Sequence, residues 1–442
     1  MLALRLTRGS HPAVQLRRLL VAVASAGTGF LLLCTLGYAI GHPDSPAAAA
    51  LRLAWCATPL AATVYFAVAV ARTDPATKPR PGLSAIGLGP GRLMAISATT
   101  TALACTLGSM LALLFFLHLR GDLTGMPFDG AAAEFLASDQ PLPLPAALTL
   151  LSLVPVIASL AVALVLRPRD LRPASEKGPA RSYGRFGAYG RSGARETFGT
   201  YGRFGARLRG GDRRSATEDE PTSETAPAPD PDPSRPAAPR EAPRGLPWGV
   251  AVLAAGLAVE AYASRAKDGG GLSLPGGLAD GPASVLVGWV LTAIGLALAG
   301  PGLTYLCGRL LQSVGPGALR LLAGRVLMEE ATRIGRPLGV VCAVASGGFA
   351  MTALYDADAP AFGPLTTLGG LVVTGCTVAT LLTAALEAKH ARADTTAALL
   401  RLGAPAAMLR SAAALRAGAL LALFLPLTLV VAELAALPLA GR

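Results

Sequence analysis

The stretch Leu144–Leu166, LPAALTLLSLVPVIASLAVALVL, runs for 23 residues without one charged side chain. A hydrocarbon core about 30 Å thick takes about 20 apolar residues of helix to cross, so this stretch predicts a membrane span. Windows of the same kind recur along the chain and predict nine spans, at 19–40, 52–71, 93–118, 144–166, 246–263, 284–305, 338–354, 365–386 and 411–437. The composition agrees: 442 residues, 52% hydrophobic and 15% charged, with mean hydropathy +0.51, outside the range of a soluble globular domain. The expected fold class is all-α and polytopic. The first apolar run begins after Arg17 and Arg18 and is longer than the core of a secretory leader, which predicts a first span and not a cleaved signal.

Lys and Arg stay on the cytoplasmic side during insertion. With the N-terminus inside, the cytoplasmic pieces hold 34 of the 39 basic residues, and only Arg52, Arg120, Arg265, Lys267 and Arg442 fall outside. Nine spans then put the C-terminus on the outer face of a cell membrane. Net charge is +12, but 35 of the basic residues are Arg in a chain rich in Ala, Gly and Pro, so the charge reflects composition and no nucleic-acid partner is expected from it.

Residues 167–245 interrupt the apolar pattern. They are rich in Arg, Gly, Pro, Ser and Glu, which bury too little apolar surface to offset the entropy of ordering, and they predict a disordered cytoplasmic linker. A hexapeptide repeats at Tyr183–Ala188, Tyr189–Ala194 and Tyr201–Ala206. Residues 167–214 carry 13 basic and 4 acidic side chains, and 215–245 carry 3 and 7. The basic half suits anionic lipid headgroups, each Arg near the surface being worth about 1 kcal/mol. Its Arg-Gly-Gly and interleaved aromatics suit single-stranded RNA as well, and a plain tether between two membrane halves is the blander alternative.

The membrane portion carries an internal repeat. An offset of 314 residues lays the second span on the eighth and the third on the ninth, matching Leu88, Gly89, Met94 and Ser97 with Leu402, Gly403, Met408 and Ser411. It also matches Thr63-Val64 with Thr377-Val378, and a nearby offset of 318 pairs Arg18 with Arg336. Four regions follow: a first membrane unit of four spans (1–166), the linker (167–245), two connecting spans (246–305) and a second unit of three spans (306–442). No equivalent of the fourth span follows the ninth.

One span, an outer connection, a second span, a basic cytoplasmic segment of the type L-x-x-L-G-A/P and a third span resembles the FtsX-like permease family. These are the membrane subunits of type VII ABC systems. The closest stretch is Ala397–Arg410, with Arg320–Arg325 as a second echo, and two units flanking extra spans look like the family's fused permeases. The resemblance implies a permease working with a separate ATP-binding subunit dimer. It places the ATPase contact at Ile86, Leu88, Gly89, Pro90 and Arg92 and at Leu400, Leu402, Gly403, Met408 and Arg410. Family members commonly carry a large outer domain between the first two spans of a unit, whereas the connections here, 41–51 and 355–364, are too short for one. Extrusion of a lipid-like or amphipathic molecule is therefore expected over mechanical coupling to an outer partner.

The chain itself holds no nucleotide-binding chemistry: no Gly-Lys dipeptide occurs, so no phosphate loop is possible. The four histidines are scattered, with no H-E-x-x-H, and there is no G-x-S-x-G, so no enzyme, metal or cofactor is expected. The six cysteines make no C-x-x-C. Two carboxylates lie in or near spans, Glu260 and Glu433, and intramembrane acids are candidates for proton or substrate binding. Both are expected near the outer ends of their helices, where they can snorkel. Gly37-x-x-x-Gly41 and the small residues Ala343, Ser346 and Gly347 are expected to permit close helix packing, and Pro155 and Pro426 to kink their spans. Two further functions stand beside the permease: a membrane scaffold acting through the linker, and an ion-coupled secondary transporter using Glu260 or Glu433.

Overall fold

The computed structural model describes residues 12–74, 89–123, 130–133, 135–167, 243, 245–265, 271–272, 281–313, 315, 317–354 and 363–440. The linker predicted over 167–245 lies outside these residues except for 167, 243 and 245, and so do Ile86 and Leu88. The helices are α1 (Pro12–Gly41), α2 (Pro46–Trp55), α3 (Ala57–Thr73), α4 (Pro90–Arg120), α5 (Leu144–Leu166), α6 (Leu246–Arg265), α7 (Ala283–Ser313), α8 (Ala318–Leu354), α9 (Pro364–Ala391), α10 (Ala393–Arg401) and α11 (Ala406–Ala440). The one extended pairing among the described residues is a two-residue antiparallel bridge, Gly271–Leu272 with Gly281–Pro282.

Among the described residues, seven helical stretches are long and apolar enough to cross a membrane. The nine spans expected from sequence also counted α6, whose apolar part Leu246–Tyr262 is shorter, and 338–354, which is continuous with the charged first half of α8. Leu103, Leu107 and Phe115 on α4, Leu148, Leu160 and Leu164 on α5, and Leu421, Leu425 and Leu434 on α11 are all exposed. An apolar surface of that extent is a liability in water and the natural outer face of a helix bundle in lipid. Together these features mark a multi-pass membrane protein.

Lipid is as apolar as leucine, so helices in it are held by close packing and interhelical hydrogen bonds. α1 lies at the centre of the first half, against α3, α4, α5 and α9. Ser25 of α1 donates to the Cys105 carbonyl of α4 at 2.8 Å, and Ser109 of α4 donates to the Leu151 carbonyl of α5 at 3.1 Å. Thr28 and Thr63 join α1 to α3 at 2.9 Å, and the Thr63 hydroxyl also lies 3.8 Å from the Cys376 sulfur of α9. Phe30 and Phe116 meet edge to face, 6.5 Å between centroids. Each of the six cysteines is buried and free.

α6, α7 and α8 cross at glycines. A side chain on Gly300 of α7 would strike the Gly335 carbonyl of α8, and one on Gly339 would strike the Leu296 carbonyl of α7. The packing role expected of Gly347 is not seen among the described residues, where a Cβ there meets nothing within 4 Å. Gly37 and Gly41 face the turn at Leu136–Ala137, at 3.4 Å, and not another helix. Pro155 is accommodated inside an unbroken α5, as Pro301 and Pro337 are inside α7 and α8.

Gly339→Ala is expected to lower the thermal midpoint of the detergent-solubilised protein by an amount corresponding to about 1–3 kcal/mol of overpacking. Gly347→Ala should be neutral or stabilise by up to about 1 kcal/mol, the helix-propensity gain. A fluorescence-detected melt of both variants checks this, and equal midpoints would contradict the crossing.

Candidate functional site

Of the first predicted contact segment, the structure describes Gly89, Pro90 and Arg92. Gly89 is the extended N-cap of α4, and its carbonyl accepts the first helical bonds, from Arg92 N–H at 3.0 Å and Leu93 N–H at 3.2 Å. Pro90 follows it, at a position where a missing N–H costs nothing. Among the described residues nothing lies within 4 Å of a Cβ placed on Gly89 or Gly91.

The second segment is described whole. α9 ends and α10 begins at the same residue, Arg392. α10 closes in a Schellman cap: Gly403, with φ +86°, donates its N–H to the Leu400 carbonyl at 3.0 Å, and Ala404 donates to the Leu399 carbonyl at 3.0 Å. A left-handed residue at this place favours glycine, which is why the Leu-Gly pair breaks the helix here. Pro405 then leads into α11, with Met408 N–H bonded to its carbonyl at 3.0 Å. No residue of α10 is buried, Leu400 is exposed, Leu402 is 84% exposed and Arg410 is exposed. Apolar side chains thus stand clear of the bundle on a short amphipathic helix.

Arg392 anchors this corner. Its Nε donates to the Ala388 carbonyl at 3.0 Å and pairs with Glu330 Oε1 of α8 at 2.9 Å. Burial pushes the Glu330 carboxyl up from the usual glutamate range, against the pull of Arg392, Arg416 and Arg333. The ion pair is close, yet burial outweighs it, as is common where two charges leave water together. No sequence signal singled out Glu330, which lay in a segment read as basic. A second pair, Arg18 with Asp74, joins the start of α1 to the end of α3, and Arg17 beside it donates to the Thr73 hydroxyl at 3.3 Å.

Glu260 departs from the expectation of snorkelling. It is fully buried between α6 and α7, where the Thr292 hydroxyl donates to its Oε1 at 3.0 Å. Its other oxygen has no hydrogen-bond partner among the described residues. Two glycines make this possible: a Cβ on Gly256 would sit 2.9 Å from the Gly288 carbonyl, and one on Gly288 would sit 3.0 Å from the Gly256 carbonyl, so the backbones close around the carboxyl. Glu433 is exposed on α11. Among the described residues no group of three or more His, Cys, Asp or Glu is placed to hold a metal.

The two acids generate opposite expectations. Because the folded value of Glu330 lies above that of the unfolded chain, its contribution to stability is complete below the unfolded value and is lost as pH rises through the folded one. Glu330→Gln should therefore raise the thermal midpoint at neutral pH, with the gain vanishing toward about pH 4, near the ordinary glutamate value. Arg392→Ala should lower the midpoint by the equivalent of about 1–3 kcal/mol, because it strands a buried carboxylate. At Glu260, Gln keeps the Thr292 bond and should preserve the fold, whereas Lys should prevent assembly of α6 on α7. Melts across pH and size-exclusion profiles read these outcomes.

No family model, curated protein or solved structure matches this chain.

Proposed function

We propose that the chain is the permease subunit of a bacterial ABC transporter of the FtsX-like type, which moves a lipid-like or amphipathic substrate with energy from a separate ATP-binding subunit dimer. The observation that carries the reading is the α9–α10 corner: a short amphipathic helix, capped at Gly403, with Leu400 and Leu402 outside the bundle and Arg392 tied to α8. A helix built this way can seat in a groove of a partner and pass its displacement to α8 through the Glu330 pair. Arg17, Arg18 and Arg392 lie in segments read as cytoplasmic, with the N-terminus on the cytoplasmic side of a cell membrane. Two of the five basic residues expected outside have described side chains, and both are absorbed locally: Arg52 lies 3.5 Å over the Tyr38 ring, and Arg120 is buried, donating to the carbonyls of Ala137 and Gln140.

Two packing relations favour the repeat that underlies this reading. α1 packs on α3 and α4 as α8 packs on α9 and α11, and α3 and α9 pack on each other. Their contact places Thr63 beside Cys376, one residue from its counterpart at offset 314, as expected where equivalent helices of two related halves cross at a pseudo-two-fold axis.

A second reading is favoured by one observation. Glu260, buried with an unpartnered oxygen, is the kind of acid an ion-coupled transporter uses. Glu260→Gln separates the two: it abolishes ion-coupled transport and leaves ATP-driven transport intact.

Mild-detergent purification of the tagged chain from its native host, with mass spectrometry of stoichiometric partners, tests the main reading. A co-purifying subunit with a phosphate loop is expected, and it should be lost on Leu402→Asp while the chain itself remains folded and membrane-inserted. Deleting 178–243 should leave transport in place, whereas a scaffold would lose its docking surface. Elution of the chain alone across several detergents, or retention of the partner by Leu402→Asp, overturns the proposed coupling site.

A further inference from the structure

Among the described carboxylate residues, Glu260 alone has no exposed surface. Glycines seal it in: a Cβ on Gly288 of α7 would strike the Glu260 Cγ, and one on Gly256 of α6 would sit 2.5 Å from the Thr292 Oγ1. No counter-charge faces the carboxyl from the helices around it. On α7 the titratable side chains are Tyr305, Cys307 and Arg309, which start thirteen residues or about 20 Å beyond Thr292. On α11, which also packs on α6, Arg410 and Glu433 are exposed and Arg416 stands by the Glu330–Arg392 pair. On α6 itself Tyr262 is exposed, and the next charged position, 265, falls about 140° round the helix. The polar group that acts on Glu260 is the Thr292 hydroxyl.

This inventory decides what the carboxyl can hold. An ionised carboxylate offers about four acceptor sites, and here one donor is present while Oε2 has none among the described residues. Such a charge, out of water and unpaired, is costly. A neutral acid asks for less: it has one O–H, and a hydroxyl such as Thr292 accepts as well as donates. A metal ion asks for more. Hard cations take about six oxygens, whereas this site offers one carboxyl and one hydroxyl, and the carbonyls of Gly256 and Gly288 belong to the hydrogen-bond ladders of their own helices.

We propose that Glu260 is a proton-binding site: the folded protein carries it as a neutral carboxylic acid, and the proton leaves only when α6 parts from α7 at Gly256 and Gly288. The assignment takes up the acid of the ion-coupled reading and names its ion as the proton. For any part in transport it rests on that reading; for occupancy of the site by a proton it does not.

Infrared spectra of the full-length protein in mild detergent test it. At neutral pH the wild type is expected to show a carboxylic acid C=O band that Glu260→Gln removes and Glu433→Gln leaves in place. Thr292→Val keeps the acid but deletes its hydrogen bond, so the same band should stay and move to higher wavenumber. Exchange of sodium chloride for choline chloride should leave the band unchanged. Thermal melts supply a second reading. The midpoints of wild type and Glu260→Gln should coincide near neutral pH, and wild type should fall below the variant as pH rises, with a gap of about 2–4 °C opening as the acid titrates. Absence of a band that Glu260→Gln removes, or that Thr292→Val shifts, overturns the proton site. A band that sodium bleaches overturns the choice of ion. If the band is present but transport survives Glu260→Gln, the proton site stands and the ion-coupled reading falls.

Discussion

Thr63 stands where three helices of the bundle meet, and its hydroxyl is the point on which the two halves depend. It pairs with Thr28 of α1 and faces the sulfur of Cys376 on α9. In water, burial of leucine would hold such helices together. In lipid the same burial contributes little, because the surroundings are equally apolar, and specificity passes to hydrogen bonds and close backbone approach. The first half relies on hydroxyls, Ser25, Thr28, Thr63 and Ser109, each joining two helices. The group formed by α6, α7 and α8 relies on glycines, which let backbones touch at Gly256, Gly288, Gly300 and Gly339.

This difference bears on where each half can do chemistry. The hydroxyl-bonded half leaves an open apolar groove on its side, between α1, α4 and α9. The glycine-packed group encloses Glu260, whose burial is tolerable because Thr292 supplies one hydrogen bond. At the end of the bundle marked by Arg392, an ion pair ties the corner before α10 to α8. Groove, buried acid and exposed corner are therefore three separate devices, each resting on different residues.

Much of this was legible in the residues. Charge-free runs located the long helices, and the Leu402-Gly403 pair with Pro405 located a helix break that the structure realises as a Schellman cap. The packing residues were not legible. Gly339 and Gly347 lie on the same helix, eight residues and about 80° of rotation apart, yet only the first meets a neighbour. Gly37-x-x-x-Gly41 has the spacing of a helix-packing motif and faces a turn. Glu260 was expected to reach for water from the end of its helix, and the rotation of α6 turned it into α7 instead.

By itself the sequence determined that the chain is helical and membrane-embedded, because crossing a hydrocarbon core demands long apolar runs with internally satisfied backbones, and that demand is written residue by residue. It also determined that Gly403 ends a helix, since left-handed backbone selects its residue locally. Only the tertiary structure decided which side chains meet: Arg392 with Glu330, Thr292 with Glu260, and Thr63 with both Thr28 and Cys376. Such pairs depend on the rotation and crossing depth of helices distant in sequence, and hydropathy carries no record of either.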